Sequence, residues 1–427
     1  MTAAESKPDK GGGNFRAYYA LGALIVGLVA GMMAGDMGQG ARDNALGVAS
    51  FVGTLWLNAL KMTVIPLVVA LLVVGIAKSA EAAQTGRIAG RSVLWIVIIC
   101  TASSVFGALA VVGLTEAFPL ARGTAALLQQ ALSHVEQQTS GPLPGAAEFF
   151  KGIVPPNAIA AASNGDILPL TVFSVVFALA LTRIAAAGRK AVVDFFDAIA
   201  EALLVVIAWV LAIAPLGVLA LAFTVGSAAG GAAFAGLGHY VVIISVIGIL
   251  VTIAAYPLAA VAGKVGMGSF TRGLIAPQAV AISTRSSLAS LPAMLDASRG
   301  MGIREEVSDV TLPIAVALFR ATGPAMNTAV AFYVAHWLGL QPTLAQMIAA
   351  TAVGAVMSYG AVSLPGEVSY ISSIAPIALA LGVPIAPLGL LVAVEMVPDI
   401  FRTVGNVTHD VALTSIVDRE RQSRAES

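Results

Sequence analysis

The chain has 427 residues, of which 58% are hydrophobic and 11% are charged, and its 23 basic residues balance its 23 acidic ones. Soluble domains usually carry about 25% charged residues, so this composition and a mean hydropathy of +0.91 indicate a polytopic membrane protein. Zero net charge without a basic patch argues against nucleic acid as a partner. The single cysteine, Cys100, excludes an intrachain disulfide.

The chain opens with a polar stretch, residues 1–15, which lacks the apolar region of a cleaved signal peptide and is expected to be a disordered cytoplasmic tail. Apolar spans long enough to cross a hydrocarbon core of about 30 Å follow. Two further apolar segments, residues 271–298 and 344–380, are broken midway by serine, glycine and proline. The eight spans begin near Tyr18, Val48, Ser92, Ile167, Ala198, Tyr240, Val310 and Leu388.

The distribution of Lys and Arg predicts the orientation of these spans. If the two broken segments are re-entrant hairpins, 16 basic residues fall on one side of the membrane and 3 on the other. This asymmetry predicts that both termini, including a second tail at residues 418–427, lie in the cytoplasm. Four basic residues remain inside membrane segments: Lys61, Arg285, Arg320 and Arg402.

The broken segments share the tripeptide Ser-Leu-Pro, which recurs 73 residues apart at Ser290 and Ser363. Proline and small residues in the middle of an apolar segment leave backbone groups unpaired, which is tolerated at membrane depth only where they line a cavity. A pair of such segments therefore indicates a transporter binding site. The alternative is two kinked helices whose serines bond back to their own carbonyls, although kinks alone do not explain the charge asymmetry.

The last span carries a stripe of five polar or ionisable residues with spacings of 4, 3, 4 and 4. At about 100° per residue they share a sector of roughly 80°, so one helix face presents them all. Buried charges in a membrane are costly unless paired or solvated, so the stripe predicts a substrate or ion site. An internal salt bridge within the stripe is the alternative, and both can hold. The stripe comprises Glu395, Asp399, Arg402, Asn406 and Asp410.

From about residue 16 to residue 418, the chain resembles the dicarboxylate/amino acid:cation symporter family, also called the glutamate transporter family. The matching motifs are Lys61-Met62-Thr63-Val64-Ile65-Pro66-Leu67-Val68, Ala214-Pro215-Leu216-Gly217-Val218, Thr284-Arg285-Ser286-Ser287, Pro365-Gly366 and Asp399-x-x-Arg402-Thr403-x-x-Asn406-Val407-x-x-Asp410. The last motif is the most specific of them.

The resemblance implies an all-α polytopic fold with eight transmembrane helices, two re-entrant helical hairpins and inverted repeats. It also implies a homotrimer in lipid, in a bacterial cytoplasmic (inner) membrane. A scaffold of about residues 16–88 and 118–236 would hold a transport domain of about residues 89–117 and 237–417. The transport domain would move like an elevator within the membrane domain, residues 16–417.

The resemblance also implies a substrate site. Arg402 would hold the side-chain carboxylate of an acidic amino acid, because a guanidinium meets two oxygens at once. Asp399 would receive the ammonium group, while Asn406 and Thr328 would bond the α-carboxylate. This favours aspartate or glutamate, although a second arginine, Arg320, would suit a C4-dicarboxylate if it entered the pocket. The implied set is Arg402, Asp399, Asn406, Thr328, Thr403, the backbone at Ser287 and Leu288, and Gly366 as part of an external lid.

The chain departs from the family in the seventh span, where Asn-Met-Asp-Gly-Thr is replaced by residues 324–328, Pro-Ala-Met-Asn-Thr. Proline and methionine supply no side-chain oxygen, so sodium binding is expected to weaken. A sodium site at Asp410 and Asn406 is one prediction. Coupling to protons is the other, and it is the preferred one. The candidate coupling residues are Asp410, Asn406, Thr322, Ser358, Glu395, Glu367 and Arg320.

Three of these residues carry open alternatives. Arg320 stands where the family generally has glycine, and its fixed charge would repel sodium or take the place of the ion. Glu395 would carry a proton, or be a structural acid paired with Arg285 or Arg320. Glu367 would be a solvated lid residue, or a gate or proton site.

The sequence gives no sign of an enzyme. It contains no hydrolase elbow, no nucleotide motif and no Gly-x-Gly-Asp context of an intramembrane protease. The main prediction is a secondary active symporter whose only accessory is a coupling ion, H+ or Na+. The alternative is an uncoupled anion channel or a receptor of the same fold.

Overall fold

The computed structural model describes residues 12–84, 86–121, 123, 126–127, 152–360 and 366–425. Within these ranges all regular secondary structure is helical, which confirms the all-α prediction. The predicted N-terminal tail up to residue 11, most of the outer loop and the side chain of Glu367 lie outside the described part.

The first half of the chain forms two long helices followed by shorter ones. The short helix α4 begins where the Asn157 side chain accepts hydrogen bonds from the backbone of Ile159 and Ala160, and ends at Gly165 with φ of 78°. The helices are α1 Gly12–Met33, α2 Gln39–Gln84, α3 Arg87–Ala117, α4 Ala158–Asn164, α5 Ile167–Leu181, α6 Ala186–Ala212 and α7 Ala214–Ala229.

The second half contains the two broken segments and the polar stripe. Residues 12–15 and 418–425, which were assigned to tails, are helical because α1 and the last helix continue through them. The helices are α8 Ala232–Val261, α9 Met267–Thr284, α10 Ser287–Gly300, α11 Glu305–Leu318, α12 Thr322–Trp337, α13 Leu344–Gly360, α14 Gly366–Leu381, α15 Ala386–Leu391 and α16 Met396–Ala425.

Helices α1 and α7 pack so closely that glycine is required at their contact. A Cβ at Gly31 would lie 2.2 Å from the carbonyl oxygen of Phe223, and one at Gly226 would lie 2.4 Å from that of Leu28. Small residues that let two backbones approach are typical of helix contacts in membranes. Helix α2 packs on α5, α6 and α7, so these helices form one packed group.

Both broken segments fold as helical hairpins: α9 packs on α10, and α13 packs on α14. The first hairpin turns at Arg285, which has φ of 49°, and the Ser286 side chain then caps α10 by accepting from the backbone of Ala289. Residues 361–365 of the second hairpin are outside the described ranges.

Five of the described helices are long and apolar enough to cross a membrane: α1, α2, α3, α6 and α8. The predicted fifth, seventh and eighth spans are each interrupted, so that α6 is followed by α7, α11 by α12 and α15 by α16. Proline explains two of the breaks, because Pro215 and Pro324 each lie in the first turn of a new helix, where no backbone N–H is needed. The eighth span begins as α15, passes through the 3-10 turn Val392–Val394 and continues as α16.

Helix α16 lies at the centre of the second half. It packs against α8, α9, α10, α11, α12 and α3, and its residues from Val407 to Val417 are almost fully buried. The polar stripe on this helix therefore faces protein, where each charge requires a partner or a ligand.

Candidate substrate and ion site

The break between α11 and α12 brings the seventh span into contact with the polar stripe. The backbone N–H of Thr322 donates to Oδ1 of Asn406 at 3.0 Å. The Thr322 hydroxyl lies 2.5 Å from the same oxygen and 2.6 Å from the carbonyl oxygen of Arg402. The N-terminus of α12 is thus held against α16 by hydrogen bonds, as expected for interrupted helices in a transporter site.

Arg402 lies in a buried cluster with two carboxylates. Its Nη1 is 2.5 Å from Oε1 of Glu395 and 3.4 Å from Oδ1 of Asp399. Arg285, at the turn of the first hairpin, places Nη1 3.7 Å from the second oxygen of Asp399. Glu395 therefore pairs with Arg402, a partner that the sequence alternatives of Arg285 and Arg320 did not include. The Asp399–Arg402 salt bridge, the other alternative, is present.

Two tyrosines complete the surroundings of Glu395, and neither was predicted from the sequence. The Tyr240 hydroxyl donates to Oε2 of Glu395 at 3.1 Å and lies 3.0 Å from the hydroxyl of Tyr370. Both side chains are at most 1% exposed. A buried tyrosine hydroxyl requires a hydrogen-bond partner. A tyrosine within an apolar segment is therefore the sequence feature that could have indicated a polar partner here.

A small cavity of about 20 Å³, with room for about one water molecule, lies beside this cluster. Among the described residues, Nε and Nη2 of Arg402 and Oδ1 of Asn327 are buried without a hydrogen-bond partner. Such atoms need an explanation in a native structure, and a ligand provides one. The cavity is lined by Arg320, Gly323, Asn327, Met357, Ser358, Ser369, Ser373 and Arg402.

The other predicted substrate residues are arranged differently. Oγ1 of Thr328 lies 2.9 Å from the hydroxyl of Ser104, and the Thr403 hydroxyl donates to the backbone of Asp399 at 2.9 Å. Ser287 is half-buried and Leu288 is exposed. None of these side chains is among the described residues that line the cavity, so their substrate roles stay predictions.

Asp410 lies two helical turns beyond Arg402 and is 0% exposed. Neither of its carboxylate oxygens has a hydrogen-bond partner among the described residues. The charge of Arg320 acts on this carboxylate.

These residues fit a sodium ion poorly. Oδ1 of Asn406 already accepts from Thr322, and Pro324 and Met326 carry no side-chain oxygen. Sodium requires several oxygen donors, and within the described ranges Asp410 contributes two carboxylate oxygens without a hydrogen-bond partner.

Comparison with known proteins supports what this geometry indicates. The family model of the sodium:dicarboxylate symporter family matches residues 18–420. The chain belongs to this family. It is a family of transporters, so the chain is a membrane symporter and not an enzyme.

Individual relatives of the symporter carry names of two kinds. The proton/sodium-glutamate symport protein of Bacillus subtilis is 28% identical over 402 residues, covering 92% of this chain and 90% of the relative. The C4-dicarboxylate transport protein 2 of Ralstonia nicotianae is 26% identical over 409 residues, covering 92% and 86%. The proton/glutamate-aspartate symporter of Escherichia coli is 24% identical over 408 residues, covering 94% and 92%.

Proposed function

We propose that this symporter imports an acidic amino acid, aspartate or glutamate, together with a proton. It would act in a bacterial inner membrane with both termini in the cytoplasm. The observation that carries the proposal is the buried ion pair between Nη1 of Arg402 and Oε1 of Glu395 at 2.5 Å. Family membership and the names of the relatives support an acidic substrate and a cation as its partner.

Exchange of carboxylates at Arg402 links substrate binding to proton binding. When the substrate carboxylate occupies the guanidinium, Glu395 loses its cationic partner. An uncompensated buried charge costs about 3–5 kcal/mol, so Glu395 takes up a proton as the substrate binds. Release of the substrate into the cytoplasm lets Glu395 return its proton and pair with Arg402 again.

The groups around Glu395 suit this exchange. Tyr240 from α8 donates to its second oxygen, and Tyr370 from α14 bonds to Tyr240. Asp399, one turn along α16, is held between Arg402 and Arg285. When Arg402 turns to the substrate, Asp399 becomes available for the ammonium group of an amino acid.

The cavity beside Arg402 is too small for an amino acid, so substrate entry requires α13 and α14 to move away from α12 and α16. We propose that this opening accompanies an elevator movement of the transport domain against a trimeric scaffold. The packing of α2 with α5, α6 and α7, and of α1 with α7, supports the scaffold assignment. The central position of α16 supports a transport domain built around it.

Symport of a C4-dicarboxylate is a second candidate, favoured by Arg320, which lines the same cavity as Arg402. Sodium is the less favoured coupling ion, because Oδ1 of Asn406 already accepts from Thr322, and Pro324 and Met326 carry no side-chain oxygen.

Uptake into liposomes that contain the purified protein tests the proposal. Labelled aspartate, glutamate and succinate are offered under a proton gradient alone and then under a sodium gradient alone. Accumulation under the proton gradient, abolished by a protonophore, is expected. Accumulation under a sodium gradient alone would overturn proton coupling. Downhill flux without accumulation would indicate a channel. Uptake of succinate but of neither amino acid would favour a C4-dicarboxylate as the substrate.

A further inference from the structure

Two arginines from different elements meet at one buried cavity. Arg320 lies in the break between α11 and α12, and Arg402 lies on α16, yet both line the cavity beside the ion-pair cluster. The break positions Arg320 there because Phe319 has extended backbone and Thr322 starts the next helix on Asn406.

Two like charges at a buried cavity are costly unless anions compensate them. On the protein side, the charges of Asp410 and Asp399 act on Arg320, while Glu395 and Asp399 pair with Arg402. These acids balance the resting site. They do not explain why two arginines line the same cavity.

The other cavity walls are also suited to a polar ligand. Hydroxyl-bearing residues Ser358, Ser369 and Ser373 line it from the second hairpin, and Asn327 contributes a buried Oδ1 without a partner in the described part of the chain. Serine hydroxyls can donate to a carboxylate, and an amide oxygen can accept from an ammonium or hydroxyl group.

We propose that Arg320 is a second substrate anchor that binds the α-carboxylate while Arg402 binds the side-chain carboxylate. The inference rests on the proposed function in taking Arg402 as the first anchor. It restricts the substrate class to compounds with two carboxylates a few bonds apart. Aspartate and succinate both satisfy this requirement, whereas their monoamides do not.

The competing explanation is that Arg320 only balances the buried charge of Asp410. The two explanations predict different selectivity. A balancing charge affects all ligands alike, whereas an anchor affects only ligands that carry the carboxylate it binds.

Binding to the purified full-length protein distinguishes them without requiring transport. Affinities are measured by calorimetry for aspartate, its β-amide asparagine and its α-amide isoasparagine, and for succinate and its monoamide. The variants are R320Q and R402Q. R299Q serves as the control, because Arg299 is half-exposed and pairs with Glu305 and Asp309 away from the cavity.

We expect the wild-type protein and R299Q to prefer aspartate over each amide by at least about tenfold, since losing one partner of a buried charge pair is costly. R320Q should lose its preference over isoasparagine and keep that over asparagine, and R402Q should do the reverse. Both variants should lose the preference for succinate over its monoamide.

Equal loss of affinity for aspartate and isoasparagine in R320Q would overturn the inference in favour of charge balance, as would unchanged preferences. If R320Q does not fold, R320K is measured in its place. Independently of any variant, equal affinities of the wild-type protein for aspartate and isoasparagine would overturn the inference. The proposed function would fail on a different result, namely diacid binding without proton-driven accumulation. That result would leave the role of Arg320 as an anchor intact.

Discussion

The two ends of the polar stripe on α16 differ in how their charges are satisfied. At one end, Arg402 contacts both Glu395 and Asp399, and Asp399 also contacts Arg285. At the other end Asp410 is 0% exposed, and its oxygens lack a hydrogen-bond partner in the described residues. Burial is similar at both ends, so the difference lies in pairing.

This difference shows how one helix can hold two kinds of site. Paired charges at the Arg402 end can be exchanged for those of an incoming anion, because the substrate replaces an existing carboxylate. At the Asp410 end no carboxylate of the described residues pairs with an arginine, so a substrate has no carboxylate to replace there, although the charge of Arg320 acts on Asp410. Substitutions at each end should therefore have different consequences.

The largest effect is expected from R402A. Removing the guanidinium deprives Glu395 and Asp399 of a cationic partner, which lowers stability by about 3–5 kcal/mol. It also removes the anchor of the substrate carboxylate. Uptake of diacids into liposomes should be abolished, and the melting temperature should fall.

The double variant R402A/E395Q provides the control for stability. It should recover part of the lost melting temperature, because one buried negative charge is gone, while uptake stays absent. Diacid uptake by R402A at the wild-type rate would show that Arg402 is not the anchor.

The next largest effect is expected from E395Q, which keeps the shape of the side chain but cannot exchange a proton. A pH difference of one unit is worth about 1.4 kcal/mol per proton, so the wild-type protein should accumulate substrate about tenfold. E395Q should equilibrate substrate without accumulating it. E305Q, at an exposed acid that pairs with Arg299, is the matched control and should behave as wild type. Proton-driven accumulation by E395Q would exclude Glu395 as the carrier.

The sequence predicted the stripe well and its partners incompletely. Spacing alone places Asp399, Arg402, Asn406 and Asp410 on one helix face, since helical geometry is local. The pairing of Arg402 with Glu395 could not be predicted, because rotamers within a stripe depend on neighbouring helices. Tyr240, 155 residues away along the chain, could not be predicted for the same reason.

The break in the seventh span shows the same limit. In the sequence Pro324 indicates the loss of a sodium ligand, whereas in the structure it also lies in the first turn of α12 and so helps to begin that helix. That break directs Thr322 onto Asn406 and brings Arg320 to the cavity. Which elements converge is a tertiary property that a local pattern does not contain.

A smaller effect is expected from G405A, which acts between the two ends of the stripe. A Cβ at Gly405 would lie 2.2 Å from Cγ2 of Thr322 and 2.6 Å from Oγ1 of Thr252. Overpacking of this kind costs about 1–3 kcal/mol, and displacement of Thr322 would break its bonds to Asn406. The melting temperature should fall and substrate affinity should weaken. G238A is the control, because nothing lies within 4 Å of a Cβ there. Equal melting temperatures for the two variants would contradict the close contact between α12 and α16.

The smallest effect is expected from sodium itself. A site with a dissociation constant of about 1 mM would add about 2.7 kcal/mol of stability at 100 mM sodium, which a melting curve resolves easily. Because Asn406 is committed to Thr322, and Pro324 and Met326 supply no oxygen, we expect sodium to raise the melting temperature no more than potassium or choline does. The melting temperature of D410N should likewise be no higher in sodium than in potassium or choline. A sodium-specific rise in the wild-type protein that disappears in D410N would instead locate a working sodium site at Asp410. The contrast between the two ends of α16 would then be one between a substrate site and an ion site, and coupling to a proton alone would be contradicted.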